Sequence, residues 1–379
     1  MSRVIFAVLA SVAFASAVVR GEEAVVSERE QNSHAIVRLL NSRAAGSPRG
    51  YEEAARVVRA DADAGRPLQQ FVLALVALDA DAPQAARIGE EQRKRYLEAS
   101  REKIRLLAEK RDNPLAWYLL SIENNDLGLL KRAADGGNVQ ALNAWGTITL
   151  TRAFRNPAAD TNETVAVAAK AFSYFKRASD QGDANGLYNV GVCYLNGYGC
   201  ERNENLAFKC FLTSSEAGHP EAINNIGGFY RDGVVVRKSA EKSVEWFARS
   251  ARLGNAFGQL NYALALQRGD GVERDDAAAA ELLGLASAQG NAEAMNVYGM
   301  CYFHGRGVEK DAPSAFRWFS RSAARGFPPA MENLAVCYDT GNGVKRDEKL
   351  ATVWKVRARA NGGDANAAAW LKQNGYTLR

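Results

Sequence analysis

The stretch GNAEAMNVYGMCYFHGRGVEKDAPSAFRWFSRSAARG, from Gly290 to Gly326, begins and ends on glycine, and the spacing of those two glycines is the period of the chain. Gly182, Gly218, Gly254, Gly290, Gly326 and Gly362 stand 36 residues apart without a slip. A fixed period of this size signals stacked supersecondary units, each too small to bury its apolar face alone. Such arrays expose an extended surface, so binding is expected before catalysis.

Counting forward from each glycine, positions 5, 8, 9 and 12 hold Leu187, Val190, Gly191 and Tyr194 in one unit, and Met295, Tyr298, Gly299 and Tyr302 in another. Gaps of three and four predict one apolar stripe along a helix. Position 9 is always small (Gly191, Gly227, Ala263, Gly299, Ala335), which predicts close approach by a neighbouring helix and explains a residue of poor helix propensity. The helix should stop at Gly197-Tyr198-Gly199, Gly269-Asp270-Gly271, Gly305-Arg306-Gly307 and Gly341-Asn342-Gly343, because glycine accepts positive φ. At position 21 stand Asn203, Ser239, Asp275, Asp311 and Asp347, all side chains that accept from the orphan amides opening a helix. A second helix follows, with Ala207, Phe211 and Ser214 matched by Ser243, Phe247 and Ser250 and by Ala315, Phe319 and Ser322.

The runs NVYGMCYFHGRGVEKDAPSAFRWFSRSAARG from Asn296 and NYALALQRGDGVERDDAAAAELLGLASAQG from Asn261 resemble Sel-1-like repeats, helical relatives of tetratricopeptide repeats. The resemblance covers residues 135–379 and implies an all-α, right-handed α-solenoid of stacked antiparallel helix pairs. A further copy begins near Gly137, with Ala141 and Gly146 at positions 4 and 9, but 45 residues separate Gly137 from Gly182. The nine extra residues fall within 151–167, where a longer, exposed inter-helix connection is expected. Residues 22–134 read as divergent helical hairpins, carrying Ala54, Val58, Gly65, Phe71 and Ala74, with turns at Asp79 to Pro83 and Arg111 to Pro114 and a second-helix pattern from Leu127. Ala367, Ala369, Trp370 and Leu371 continue one helix, so residues 363–379 are expected to form a half-repeat cap.

Arg3 precedes an unbroken small and apolar run from Val4 to Val19, with Ala15-Ser16-Ala17 resembling a cleavage site. Residues 1–17, or to 20, are therefore expected to be a secretory signal peptide, with an uncleaved anchor as the alternative, since the run is shorter than the roughly 20 residues a spanning helix needs. The mature chain is then expected in the secretory lumen, secreted, or periplasmic if bacterial, with no integral membrane segment after cleavage. Losing residues 1–17 removes Arg3 alone among the charged residues, so the formal charge falls from +5 to +4. Interspersed charges such as Glu91 to Arg95 fit solvated helix faces, and no nucleic-acid footprint is expected. The sequon Asn162-Glu163-Thr164 falls in the expected loop and makes Asn162 a candidate glycosylation site.

Cys193, Cys301 and Cys337 all occupy position 11, where equivalent residues of successive repeats lie roughly 9 to 10 Å apart, beyond disulfide reach. A bridge from Cys210 to Cys200 or to Cys193 would join the two helices of one repeat, and an odd count leaves one cysteine over. Cysteine-rich Sel-1-like proteins pair two cysteines in each repeat, a regularity this chain lacks.

Signals for chemistry are sparse. His34, His219 and His304 are far apart and outside any His-Glu-x-x-His pattern, so no metal site and no cofactor is expected. Ser100-Arg101-Glu102-Lys103, Ser173-Tyr174-Phe175-Lys176 and Ser239-Ala240-Glu241-Lys242 match the Ser-x-x-Lys of penicillin-recognising enzymes, to which some Sel-1-like proteins have been linked. A secreted hydrolase of the β-lactamase-like type is thus the alternative reading, but Ser-Asp-Asn and Lys-Thr-Gly companions are missing and no catalytic residue is assigned.

The strongest functional pattern is a row of amides. Position 7 holds Asn189, Asn225, Asn261 and Asn333, interrupted by Val297, and position 6 adds Asn224 and Asn296. In the related tetratricopeptide arrays the first helix lines the concave face, where an asparagine can hold an extended peptide. An amide offers donor and acceptor to any backbone, so these six form a candidate peptide-binding ladder. Hydrogen bonding between neighbouring helices is the competing role, because buried polar groups must be paired either way. Tyr188, Phe257, Met300 and His304 share the register and are candidate groove residues. The expectation is a non-catalytic scaffold or adaptor that binds a protein or an extended peptide, with a membrane-complex partner or homo-oligomer left open.

Overall fold

Residues 48–77, 84–155 and 161–378 are described by a computed structural model, and every regular element among them is helical. The expected signal peptide, the turn at Asp79 to Pro83 and residues 156–160 lie outside the described residues. Helices α1 to α9 are Pro48–Asp63, Pro67–Val76, Glu90–Arg111, Pro114–Asn124, Leu127–Asp135, Val139–Arg155, Thr161–Asp180, Ala184–Asn196 and Glu204–Glu216. Helices α10 to α18 are Pro220–Asp232, Ala240–Arg252, Ala256–Arg268, Asp276–Ala288, Ala292–His304, Ala312–Ala323, Pro328–Thr340, Glu348–Asn361 and Ala365–Gln373. Two units divide the chain, ending at Ala222 and beginning at Ile223.

The helix starts follow the polar residues at position 21. Asn203, Ser239, Asp275, Asp311 and Asp347 cap α9, α11, α13, α15 and α17, each accepting from the amide three residues on. One such cap stabilises by about 1 kcal/mol. The helix ends follow the glycines: Gly197, Gly269, Gly305 and Gly341 close α8, α12, α14 and α16 in the left-handed conformation. Val235 occupies the place of the second turn glycine in its repeat, and its φ of 64° is one that a β-branched residue adopts only under strain.

In the first unit, consecutive helices pack in series: α1 to α7 share a core in which Phe71, Ile104, Tyr118, Leu119 and Leu130 are fully buried, and a second cluster of Ala171, Phe175, Val190 and Cys193 joins α7 to α8. The second unit, taken by itself, repeats one arrangement. The small residue at position 9 faces the aromatic ring of its own second helix: a Cβ on Gly227 would stand 2.6 Å from Phe247, and one on Gly299 2.7 Å from Phe319. Where position 9 is Ala263, the facing residue is the smaller Leu283, and both are buried in one cluster. The pair conserves volume, as close-packed interiors require. Serine hydroxyls tie the two helices further, Ser322 donating to Ala292 O at 2.6 Å and, in the first unit, Ser214 donating to Ala184 O at 2.8 Å.

Two expectations are corrected. The extra residues before Gly182 do not form an open loop over 151–167: residues up to Arg155 extend α6 to 17 residues and those from Thr161 extend α7 to 20, against 13 in later repeats. The run Thr164 to Phe172 is alanine-rich, and helix propensity absorbs the insertion. The last period also slips. Gly362 has a right-handed φ of −80° as the C-cap of α17, which at 14 residues is longer than the 12 or 13 of the second helices before it from α9 on, and Gly363 takes the left-handed turn at φ 97°.

Candidate functional site

The asparagines lie on the first helices of successive repeats, half-buried, and they bond to one another in a register the sequence spacing did not reveal. Within the second unit, Asn261 Nδ2 donates to Asn224 Oδ1 at 2.9 Å, and Asn333 Nδ2 donates to Asn296 Oδ1 at 2.8 Å. Position 7 of one repeat therefore pairs with position 6 of the repeat before it. At the one junction where position 7 is apolar, Val297, the preceding position 6 is Leu260, and both pack in the same cluster. In the first unit the same junction joins Asn189 Nδ2 to Asn143 Oδ1 at 3.2 Å, and Asn143 Nδ2 donates to Asp183 Oδ2 at 2.6 Å. Asn143, fully buried, belongs to the network and is absent from the sequence-derived ladder. Asn225 makes no hydrogen bond through its amide among the described residues.

Each pair uses one donor and one acceptor. The Oδ1 of Asn261 and Asn333 and the Nδ2 of Asn224 and Asn296 make no hydrogen bond among the described residues, so each of these two junctions keeps a carbonyl and an amide group. The four groove candidates separate. Tyr188 stacks on His219 with ring centroids 4.6 Å apart, Met300 packs half-buried beside the core, His304 is exposed with its ring edge on Phe303, and Phe257 is 58% exposed.

Beside the second unit's amides lies a cleft of about 350 Å³. The apolar side chains of Val244, Phe247, Leu264 and Ala265 form part of its lining, Asn261 borders it, and Arg231, Lys238 and Arg268 stand around it against one carboxylate, Asp270. These cations escaped the sequence reading because they come from three elements and form no motif.

Two titratable groups at helix starts of the first unit are buried. Burial pushes the Asp183 carboxyl up to about 8, against the pull of the Gly186 N–H at 2.7 Å and the Asn143 amide. His219 caps α10 as an acceptor: the Ala222 N–H donates to Nδ1 at 3.3 Å, which leaves the Nε2 proton to donate to Asn185 Oδ1 at 2.8 Å. Burial lowers the His219 pKa to about 4, although a carboxylate oxygen of Glu221 lies 3.3 Å from Nδ1. The unfolded imidazole titrates near 6.5, so between about pH 6.5 and 4 the unfolded chain binds more protons. The His219 contribution is full above that window and falls as pH drops through it, by about 2 kcal/mol at pH 5, while Asp183, protonated in the fold below about 8 and ionised in the unfolded chain down to about 3.8, contributes the opposite slope over the same range. In His219→Asn, with a cap of the type found at Asn255 and Asn291, urea titrations are expected to show no more than about 1 kcal/mol lost at pH 7.5. They should also show the variant gaining on wild type by about 2 kcal/mol between pH 7.5 and 5; a difference between the two that does not change with pH would count against the buried neutral imidazole.

The Ser-x-x-Lys serines are engaged locally. Ser100 is fully buried and donates to Tyr96 O, Ser173 donates to Lys170 O, and Ser239 accepts from Lys242 N while donating to Glu241. Lys176 bonds to Asp180. The five cysteines are free thiols, and burial raises the Cys193 thiol to about 12. Asn162 is exposed in the first turn of α7. Among the described residues no group of three His, Cys, Asp or Glu side chains is placed to hold a metal, and no helix is long and apolar enough to cross a membrane.

The Sel1 repeat model matches residues 164–183, 184–219, 220–255, 256–291, 292–327 and 328–358. Among solved structures, a Sel1 repeat protein from Oxalobacter formigenes is 23% identical, with 68% of this chain and 98% of that one covered at a TM-score of 0.53. A protective antigen of uropathogenic Escherichia coli strains that displays an SLR fold is 24% identical, with 84% and 67% covered at a TM-score of 0.50. These likenesses concern the fold. No curated protein matches the sequence.

Proposed function

We propose that this chain, which belongs to the Sel1 repeat family, is a non-catalytic scaffold whose first helices hold an extended polypeptide segment of a partner protein. Sel1 repeat proteins are generally protein-interaction scaffolds. The observation that carries the finer reading is the repeated amide pair: Asn224 with Asn261, and Asn296 with Asn333, each presents an unused carbonyl and an unused amide, at junctions two repeats apart. An extended backbone offers the complementary groups along its length. The apolar run from Val4 to Val19 supports a setting in the secretory pathway or periplasm.

The chain itself supplies the control substitution. Asn224→Leu with Asn261→Val, and Asn296→Leu with Asn333→Val, copy its own Leu260 and Val297 junction, so packing is kept and the amides are removed. Affinity capture with cross-linking is expected to recover a reproducible partner with wild type and to lose it with the four-fold variant at an unchanged melting temperature. Equal recovery from both would reject the amide row as the holding surface.

A further inference from the structure

The cleft beside Asn261 is not a random surface hollow, because its charge results from a counter-ion missing at one register position. Position 20 is basic in every complete repeat: Arg202, Lys238, Arg274, Lys310 and Arg346. In three of them the residue two places on is acidic and neutralises it, Arg202 with Glu204, Arg274 with Asp276 at 2.6 Å and Arg346 with Glu348 at 2.8 Å. After Lys238 that place is Ala240, which removes the carboxylate and leaves a methyl group lining the cleft. Lys238 and Arg268 form no ion pair among the described residues, whereas Arg231 is held by Asp232 through two bonds of 2.8 and 3.0 Å.

We infer that this cleft receives an acidic side chain of the bound polypeptide, with a neighbouring apolar residue of the same segment packed on Val244, Phe247 and Leu264. The inference rests on the peptide-holding role proposed above and adds its specificity. Lys238 and Arg268 reach the carboxylate from two elements, the connection before α11 and the end of α12. Asn261 borders the same space with its unused Oδ1, so a backbone N–H held there would place the adjacent side chain at the cleft. Charge-assisted hydrogen bonds are the stronger kind, and an apolar lining beside them lowers the local dielectric and sharpens the preference.

The test uses an array of immobilised twelve-residue peptides of random sequence, probed with the full chain and with Lys238→Glu/Arg268→Glu. Both replaced side chains are exposed, and an unchanged helical circular dichroism spectrum checks the fold. Wild type is expected to select peptides enriched in Asp or Glu next to an apolar residue, with binding reduced about tenfold when the acid is changed to its amide and weakened by 0.5 M salt. The charge-reversed variant is expected to lose the acidic enrichment and favour Lys or Arg at that place. Peptides selected without acidic enrichment, or the same peptides selected by both proteins, would overturn the acidic specificity and leave the peptide-holding role standing. If wild type selects no peptide, the peptide-holding role fails and this inference fails with it.

Discussion

Replacing Gly307 by alanine is expected to destabilise the second unit by about 3 kcal/mol, one of the largest effects of any single methyl group in the array. Gly307 has φ 71°, and a Cβ there would stand 1.8 Å from the carbonyl oxygen of Asp276, the first residue of α13. The left-handed conformation alone costs an L-residue about 1 to 2 kcal/mol. The remainder comes from backbone that cannot rotate away, so the turn must lift off the helix it rests on. Gly290 provides the comparison: its φ is 92°, but the atoms a Cβ would meet belong to the Arg325 side chain, the nearest at 3.3 Å. Gly290→Ala should therefore lose only the conformational part, about 1 kcal/mol. Urea unfolding of the two variants side by side measures the difference. Equal losses would show that the second turn glycine is needed for its φ and not for the close approach between repeats.

The second large effect concerns Gly299 and Phe319. Gly299→Ala gains up to about 1 kcal/mol of helix propensity, yet its methyl would lie 2.7 Å from a buried ring, and overpacking costs about 1 to 3 kcal/mol. A net loss of about 1 to 2 kcal/mol is expected. Phe319→Leu alone leaves a void facing glycine. Combined, the two substitutions reproduce the Ala263 and Leu283 pair of the preceding repeat, and the double variant should be more stable than the sum of the singles by about 1 to 2 kcal/mol. Strict additivity in the double-mutant cycle would contradict the volume match. The match also explains why glycine, a poor helix former, recurs in the middle of these helices: the aromatic ring that joins the two helices needs the space.

What the sequence made legible was whatever recurs at one register. Helix starts at Asn203 or Asp275 and helix stops at Gly197 or Gly305 depend on the residue type and its immediate neighbours, and those signals survive in every copy. The insertion before Gly182 was misread because its length was counted and its composition was not; Val165 to Ala171 continues a helix as readily as any neighbour. The asparagines were found but their arrangement was not. Position 7 looked like a single row, whereas the structure couples it to position 6 of the preceding repeat, as the Asn333 to Asn296 bond shows. Only the repeat-to-repeat offset of the helices sets that register, and no single repeat contains it. The cleft was hidden for a different reason. Lys238 becomes available through the absence of an acid at Ala240, and an absence is visible only after Arg274 and Arg346 have been seen paired with theirs.

The acid sensitivity expected from His219 and the specificity expected from Lys238 act in separate units and can be measured separately. Binding work is thus best done at one fixed pH, since the opposed titrations of His219 and Asp183 act on stability without touching the cleft.

The central claim is that first helices, and not second helices, hold the partner. Phe257 on α12 and Leu285 on α13 are both about half exposed, at 58% and 50%, and both are apolar, so either accepts benzoylphenylalanine in place of the native side chain. Photo-cross-linking in the native compartment from each position is the direct measurement. The expected result is a single protein band from position 257, abolished by the Asn224, Asn261, Asn296 and Asn333 replacements, and none from position 285. A partner captured from position 285 and not from 257 would contradict the account.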